Sequence, residues 1–204
     1  MRPKSMRQLP RRNLLRGGLA VTAGLGLGRY GLVAPAFAAD LVATPRQTPG
    51  PFYPSKKPLD ADSDLVQVVG RPAQATGEIV HVFGQVMDLD GRLLPGTLVE
   101  IWQCDALGRY HHPRDQGGAD PNFQGYGHST ADADGGFHFR TIEPVPYGGR
   151  TPHIHFAVTD PKGGRLTTQL YFDGDPFNDG DAWFNPVMAL VPDRDGVATI
   201  DFVV

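Results

Sequence analysis

I-V-H-V-F-G-Q-V-M-D-L-D-G-R-L-L-P-G-T-L-V-E-I-W-Q, residues 79–103, decides the fold class. Two runs rich in Val, Ile, Phe and Trp flank Asp88-Leu89-Asp90-Gly91, a hairpin-turn signal between pleated segments. The same texture continues on both sides. Short apolar or alternating runs recur at 137–141, 153–159, 166–172, 187–191 and 197–203, and Asp-Gly pairs begin at Asp90, Asp134, Asp173, Asp179 and Asp195. No long helical period interrupts them, so the expectation is an all-β chain, an antiparallel β-sandwich with long loops.

The two ends of the domain read differently. Arg2, Lys4, Arg7, Arg11, Arg12 and Arg16 precede a weakly apolar, Gly-rich run and then Ala36-Phe37-Ala38, the pattern of a removed signal peptide over residues 1–38. Arg11-Arg12-Asn13-Leu14-Leu15-Arg16 resembles a twin-arginine signal, which implies the twin-arginine export machinery as a partner and a periplasmic or extracellular destination. Residues 39–64 form a Pro-rich arm expected to wrap the surface, and residues 65–204 form the sandwich domain.

The whole chain carries a formal net charge of −3. Without residues 1–38 there remain 12 basic against 22 acidic groups, a balance of −10, which argues against a nucleic-acid partner. Cys104 is the only cysteine, so no intrachain disulfide can form and stability is expected from packing and a bound metal.

Chemistry concentrates in one stretch. His153 and His155 form an H-x-H pair, and in a strand residues i and i+2 leave the same face, so both imidazoles can reach one ion. Tyr110 follows the strand at 98–103, and Tyr147 lies in a Pro/Gly loop feeding the histidine strand, so loop and strand ends converge at one rim. A phenol of pKa near ~10 ligates well only when a strongly charged, hard cation removes its proton, and Fe(III) is such a cation. The four side chains read as a mononuclear ferric site. Zinc would draw Cys or a third His, and blue copper would need Cys104, which reads instead as a small buried apolar group. Ile154 is expected to point the other way, into the core. His81 and His138 are read as strand histidines without a partner, His111 and His112 as strand neighbours of Tyr110 that face opposite sides, cannot both point at one metal and suit a place behind the ligands, and His128 as without a functional role.

Six blocks give these residues a wider context: T-P-G-P-F-Y-P (48–54), the run at 84–103, G-R-Y (108–110), F-R-T-I-E-P-V-P-Y (139–147), R-T-P-H-I-H-F (150–156) and T-Q-L-Y-F-D-G-D-P (168–176). In order and spacing the chain resembles the intradiol ring-cleavage dioxygenases of the catechol and protocatechuate types. The resemblance implies a prealbumin-like sandwich and one Fe(3+) per chain, with Tyr110 and His155 matching the equatorial ligands and Tyr147 and His153 the axial ones. Tyr147 then also matches the tyrosine that makes way for substrate, Arg150 the active-site arginine, and Gln169 a polar residue near the substrate. A catechol-type substrate and O2 are the implied reactants. The implied reaction opens the ring between its two hydroxylated carbons, through an anhydride, to a muconate-type diacid.

Two departures bear on specificity. Only Gly-Gly-Arg-Thr-Pro separates Tyr147 from His153, shorter than in many relatives, and no N-terminal helical segment of the catechol type precedes the core, which therefore looks closer to a protocatechuate-type subunit. A homo-oligomer remains open. So do two rival functions: a non-catalytic prealbumin-like module that binds surfaces or carbohydrate, and an Fe(II) oxygenase using two His and one carboxylate, with Glu143 or Asp160 as the third ligand.

Overall fold

In the computed structural model, which describes residues 41–58 and 60–204, the first strand of the opening stretch and its second end up in opposite sheets. The expected turn does form: Asp88 N–H bonds Arg92 O at 2.9 Å, Met87 pairs with Leu93, and Gly91 takes φ 77°. A second turn at Pro95-Gly96 then carries the chain across the core instead of extending the hairpin. The signal-peptide segment lies outside the described residues.

The strands are β1 (Ile79–Met87), β2 (Leu98–Trp102), β3 (Tyr126–Thr130), β4 (Gly136–Ile142), β5 (His153–Thr159), β6 (Arg165–Phe172), β7 (Ala189–Leu190), β8 (Val197–Thr199) and β9 (Phe202–Val203). One sheet runs β4-β1-β8, with β9 also on β1; the other runs β3-β2-β5-β6-β7. The four long pairings, β1/β4, β2/β3, β2/β5 and β5/β6, are antiparallel as expected. The short C-terminal strands depart from that expectation, since β8 and β9 join β1 and β7 joins β6 in parallel. The expected strand at 187–191 is a short 3-10 turn, Pro186–Met188, followed by β7, and the run at 197–203 is divided between β8 and β9.

One local device recurs. At Asp88, Asp105, Asp132, Asp160 and Asp193 an aspartate Oδ1 accepts the N–H groups two and four residues on, and the glycine three residues on (91, 108, 135, 163, 196) sits at positive φ. An Asx turn with a left-handed glycine closes the loop tightly without strain. The copy at Asp105 bears directly on function, because Tyr110 follows it at once.

Strand alternation builds two layers of packing. Val80, Val82, Val99, Ile101, Phe139, Ile154, Phe156, Leu170 and Phe202 fill the space between the sheets. Ile154 does point inward, as expected. The opposite face of β2 and β5 is also buried, because a smaller cluster of Trp102, Cys104, Tyr110, Tyr126 and Ala157 is covered by Phe52, Tyr53 and Tyr147. The arm provides that cover: Gln47 N–H bonds Thr167 O at 2.8 Å, Thr168 donates its hydroxyl to Pro45 O at 2.7 Å, and Gln169 donates to Thr48 O at 3.1 Å. It wraps the chain's surface as expected, and in doing so roofs the histidine face.

Candidate metal centre

β5 presents His153 and His155 on its outer face, each about 1% exposed, with ring centroids 4.8 Å apart. The strand is straight-paired on both sides, to Trp102 from β2 and to Gln169 from β6 at His155, so the two imidazoles are fixed by ladder register. His153 Nδ1 lies 2.7 Å from Thr151 O. A carbonyl can only accept, so Nδ1 carries the proton and Nε2 keeps its lone pair. That lone pair faces the Tyr147 hydroxyl at 3.3 Å.

The tyrosines complete a chain of donors. Tyr110 is 4% exposed and donates to Tyr147 Oη at 3.1 Å, and Tyr147 in turn has His153 Nε2 as its acceptor. Tyr110 is held by backbone on its N-terminal side: the Asp105 turn precedes it and its N–H bonds Asp115 Oδ2 at 2.8 Å. Tyr147 is half-buried in the loop ahead of β5, where it pairs with Arg150 across an isolated bridge. All four residues expected from sequence are therefore neighbours on one buried face.

Burial sets their protonation. It drives the Tyr110 phenol well above its ordinary range, with the neighbouring Tyr147 adding to the effect, and raises Tyr147 as well. Burial pushes His153 down to about 4, assisted by the Arg150 charge, and His155 well below its usual value, with His153 and Arg150 adding to it. Two neutral imidazoles and two protonated phenols share one pocket. This donor set suits a hard, highly charged cation that can displace both phenolic protons. It offers no thiolate: Cys104 is fully buried, its Sγ directed at Val145 O at 3.6 Å, and burial pushes its thiol up to about 12. Nor does a carboxylate join the histidines, since among the described residues no three His, Cys, Asp or Glu side chains converge. Asp160 caps a turn through Lys162 N–H and Gly164 N–H.

Arg150 and Gln169 stand beside this cluster and bond each other, Nη2 to Oε1 at 2.7 Å. Arg150 Nε also reaches Asp181 Oδ2 at 2.7 Å, and Asp181 accepts Thr151 N–H at 3.0 Å and Trp183 N–H at 2.8 Å. Tyr171 donates to Trp183 O at 2.6 Å and contacts Gln169 Oε1 at 3.2 Å. A guanidinium held on two sides is a preorganised positive charge.

Several contributors were not read from sequence. Asp181 sits in an Asp-Gly-Asp loop that carries no local signal for its partner Arg150. Trp102 lies flat on His155, with centroids 5.0 Å apart and planes 2° apart, and Phe52 stacks on Tyr110 at 4.6 Å and 21°. Both residues fall in blocks that carried the family resemblance, which was the only signal for them. His81 and His138 correct an expectation: they are not partnerless, because His81 Nδ1 and His138 Nε2 lie 3.0 Å apart on the outer face of the other sheet. His111 and His112 lie in a loop rather than a strand and bond Asp120 O and Arg114 N–H, apart from the cluster. A cavity of about 400 Å³ beside Tyr110 is lined by Phe52, Lys57, Pro58, His111 and Tyr126, but not by His153, His155 or Arg150.

The family described as Dioxygenase matches residues 48–198. The protocatechuate 3,4-dioxygenase beta chain of Burkholderia cepacia is 40% identical over 154 residues, covering 71% of this chain and 66% of that one. Catechol 1,2-dioxygenase 1 of Acinetobacter lwoffii is 31% identical over 179 residues, covering 76% and 56%. Among solved structures, the dioxygenase domain of a dioxygenase carbohydrate-binding protein fusion from Streptomyces sp. SirexAA-E superposes with a TM-score of 0.67 at 36% identity, over 80% of this chain and 98% of that domain. The chain thus spans between about half and two thirds of the length of the curated relatives it matches.

Proposed function

The chain belongs to the intradiol ring-cleavage dioxygenase family, and from that premise we propose that it is a non-haem Fe(III)-dependent enzyme opening catechol-type rings between their two hydroxylated carbons. The observation that carries the reading is the convergence of Tyr110 Oη, Tyr147 Oη and His153 Nε2 within 3.1–3.3 Å contacts beside His155 and next to Arg150. Tyr110, Tyr147, His153 and His155 would hold the iron. When bound there, the metal would supply Lewis acidity, so that a catechol chelating it through both oxygens would lose both protons, and the resulting dianion is electron-rich enough to meet O2.

The chain's own residues account for the rest. A catechol chelating there would give up two protons: Tyr147, half-buried on its loop where Tyr110 is enclosed, is the phenol placed to move and to take one of them at Oη, and the other passes to water. Tyr110 stays fixed under Phe52 and the Asp105 turn. Arg150 holds a positive charge where electron density shifts off the ring, and its bonds to Asp181 and Gln169 fix the guanidinium before substrate arrives. The overall change balances without a reductant: the ring carbon–carbon bond breaks, both atoms of O2 enter the product, and the catechol supplies the electrons.

Residues 1–38 serve, on this reading, as a twin-arginine signal, so the mature enzyme meets phenolic catechols outside the cytoplasm. Attachment of this segment to a reporter, with Arg11 and Arg12 changed to Lys, tests that step: export should fail in the variant. The catalytic reading is tested by oxygen uptake of iron-loaded protein against a panel of catechols with product identification. A colourless diacid supports it, and a yellow semialdehyde or absence of oxygen uptake across the panel refutes it.

A further inference from the structure

Two histidines of the cluster are oriented in different ways. His153 Nδ1 is tied to Thr151 O at 2.7 Å, the usual arrangement that fixes a ligating imidazole. His155 Nδ1 is buried and has no hydrogen-bond partner among the described residues. Its ring is instead held by packing. Trp102 lies flat on one face, and the arm closes the edge, where a Cβ at Gly50 would stand 3.3 Å from His155 Cε1.

Those packing elements lead to one buried carboxylate. Tyr53 meets Trp102 edge-on at 4.9 Å and 87° and donates its hydroxyl to Glu100 Oε1 at 2.9 Å. Glu100 lies on the same face of β2 as Trp102, two residues away, and is 0% exposed. Lys57 Nζ and Tyr126 Oη bond the same Oε1 at 2.6 Å each, and Arg165 Nη1 reaches Oε2 at 3.1 Å while its guanidinium stands 5.5 Å from the Tyr53 ring centre. Two of the four partners, Tyr53 and Lys57, belong to the arm. Oε1 takes three hydrogen bonds while Oε2 has the Arg165 charge but no hydrogen bond, so this buried carboxylate depends on its arm partners and favours one seating of the arm.

We infer that Glu100 is a positioning residue for the metal centre: it latches the arm through Tyr53 and Lys57, and the latched arm, acting through Trp102 and Gly50, orients the His155 imidazole in place of a hydrogen bond. The inference rests on the ferric-site reading for its effect on iron, but the orientation of the ring is a property of the metal-free chain. Phe52, the residue before Tyr53, stacks on Tyr110, so the same latch also steadies one phenol.

The test compares the wild-type chain with Glu100→Gln and Tyr53→Phe, using Asp88→Asn in a remote turn as control. In metal-free protein, NMR of the imidazole carbon-bound protons should give one sharp His155 set in wild type and control, and a broadened or multiple set in both variants, with His153 unchanged. Amide exchange over residues 45–58 should accelerate in the same two variants. Titration with ferric iron against a competing chelator should show affinity lowered about 10–100-fold, the range for loss of a group that orients a metal ligand. If Glu100→Gln fails to fold, Tyr53→Phe decides, since it removes one hydroxyl and leaves the other three partners of Glu100. Sharp, wild-type-like His155 signals in a folded variant overturn the inference, as does unchanged iron affinity. A wild-type chain that takes up no iron counts against the proposed function instead, and the ring signals still decide this point.

Discussion

Replacing Arg150 with Gln removes a guanidinium whose Nε sits 2.7 Å from Asp181 Oδ2 and whose Nη2 sits 2.7 Å from Gln169 Oε1. Asp181 has a side chain 1% exposed, so the change strands a buried carboxylate. Breaking such a pair costs about 3–5 kcal/mol when nothing else compensates. Here Oδ2 still accepts Thr151 N–H and Oδ1 still accepts Trp183 N–H, which places the loss nearer ~2–3 kcal/mol, about one charge-assisted hydrogen bond. The pH dependence follows from the carboxylate. Burial works against ionisation of Asp181, yet the Trp183 N–H, Arg150 and the Thr151 N–H hold it below the usual carboxylate range. Its stabilising contribution is present at neutral pH and is lost as pH falls through that depressed value. Urea unfolding of metal-free wild type and Arg150→Gln should therefore differ by ~2–3 kcal/mol at pH 7, with the difference shrinking in acid as Asp181 takes up a proton. A difference below ~0.5 kcal/mol at pH 7, the range of an ordinary surface substitution, would refute the reasoning.

Two further outcomes are expected. The metal-free protein should lose stability between pH 6.5 and 5, because unfolded histidines protonate near ~6.5 while burial keeps His153 (about 4) and His155 neutral in the native state; two such groups give at most about 2.7 kcal/mol per pH unit, and a flat unfolding midpoint over that range would contradict it. Gly84→Ala should destabilise by about 3 kcal/mol or more in thermal unfolding, since a Cβ there would lie 1.7 Å from Ile200 O and 2.6 Å from the Phe137 ring, and a near-neutral melt would show that the β8–β9 connection is not seated as described.

What was legible in the sequence was local. The H-x-H pair gave its own geometry, because a two-residue period on a paired strand puts His153 and His155 on one face whatever surrounds them. Tyr110 was legible as lying in the loop after the strand at 98–103, and the Asp105 turn just before it is one of six D-x-x-G sequences in the chain, five of which close the full Asx turn. The rest depended on distant register. β3 was missed because it is an edge strand of Tyr126, Gly127, His128, Ser129 and Thr130, with little apolar alternation to betray it. β8 and β9 read as one run, but the ladder on β1 is interrupted at 200–201, where Gln85 N–H bonds the Asp201 side-chain Oδ1 at 2.9 Å in place of a backbone carbonyl and Gly84 leaves room for Ile200 O. The pairing of His81 with His138 needs the β1/β4 register, in which Phe83 rather than His81 lies opposite His138. Asp181, Trp102 and Phe52 join the centre over separations that no short motif encodes.

The most direct test of the central claim is the metal content and visible spectrum of the purified, iron-loaded chain beside Tyr110→Phe and Tyr147→Phe. The account predicts one iron per wild-type chain and a red-brown phenolate-to-iron absorption band that weakens or bleaches in each variant. A colourless wild-type protein, or a band unchanged when both tyrosines have been replaced in iron-loaded protein, would contradict it.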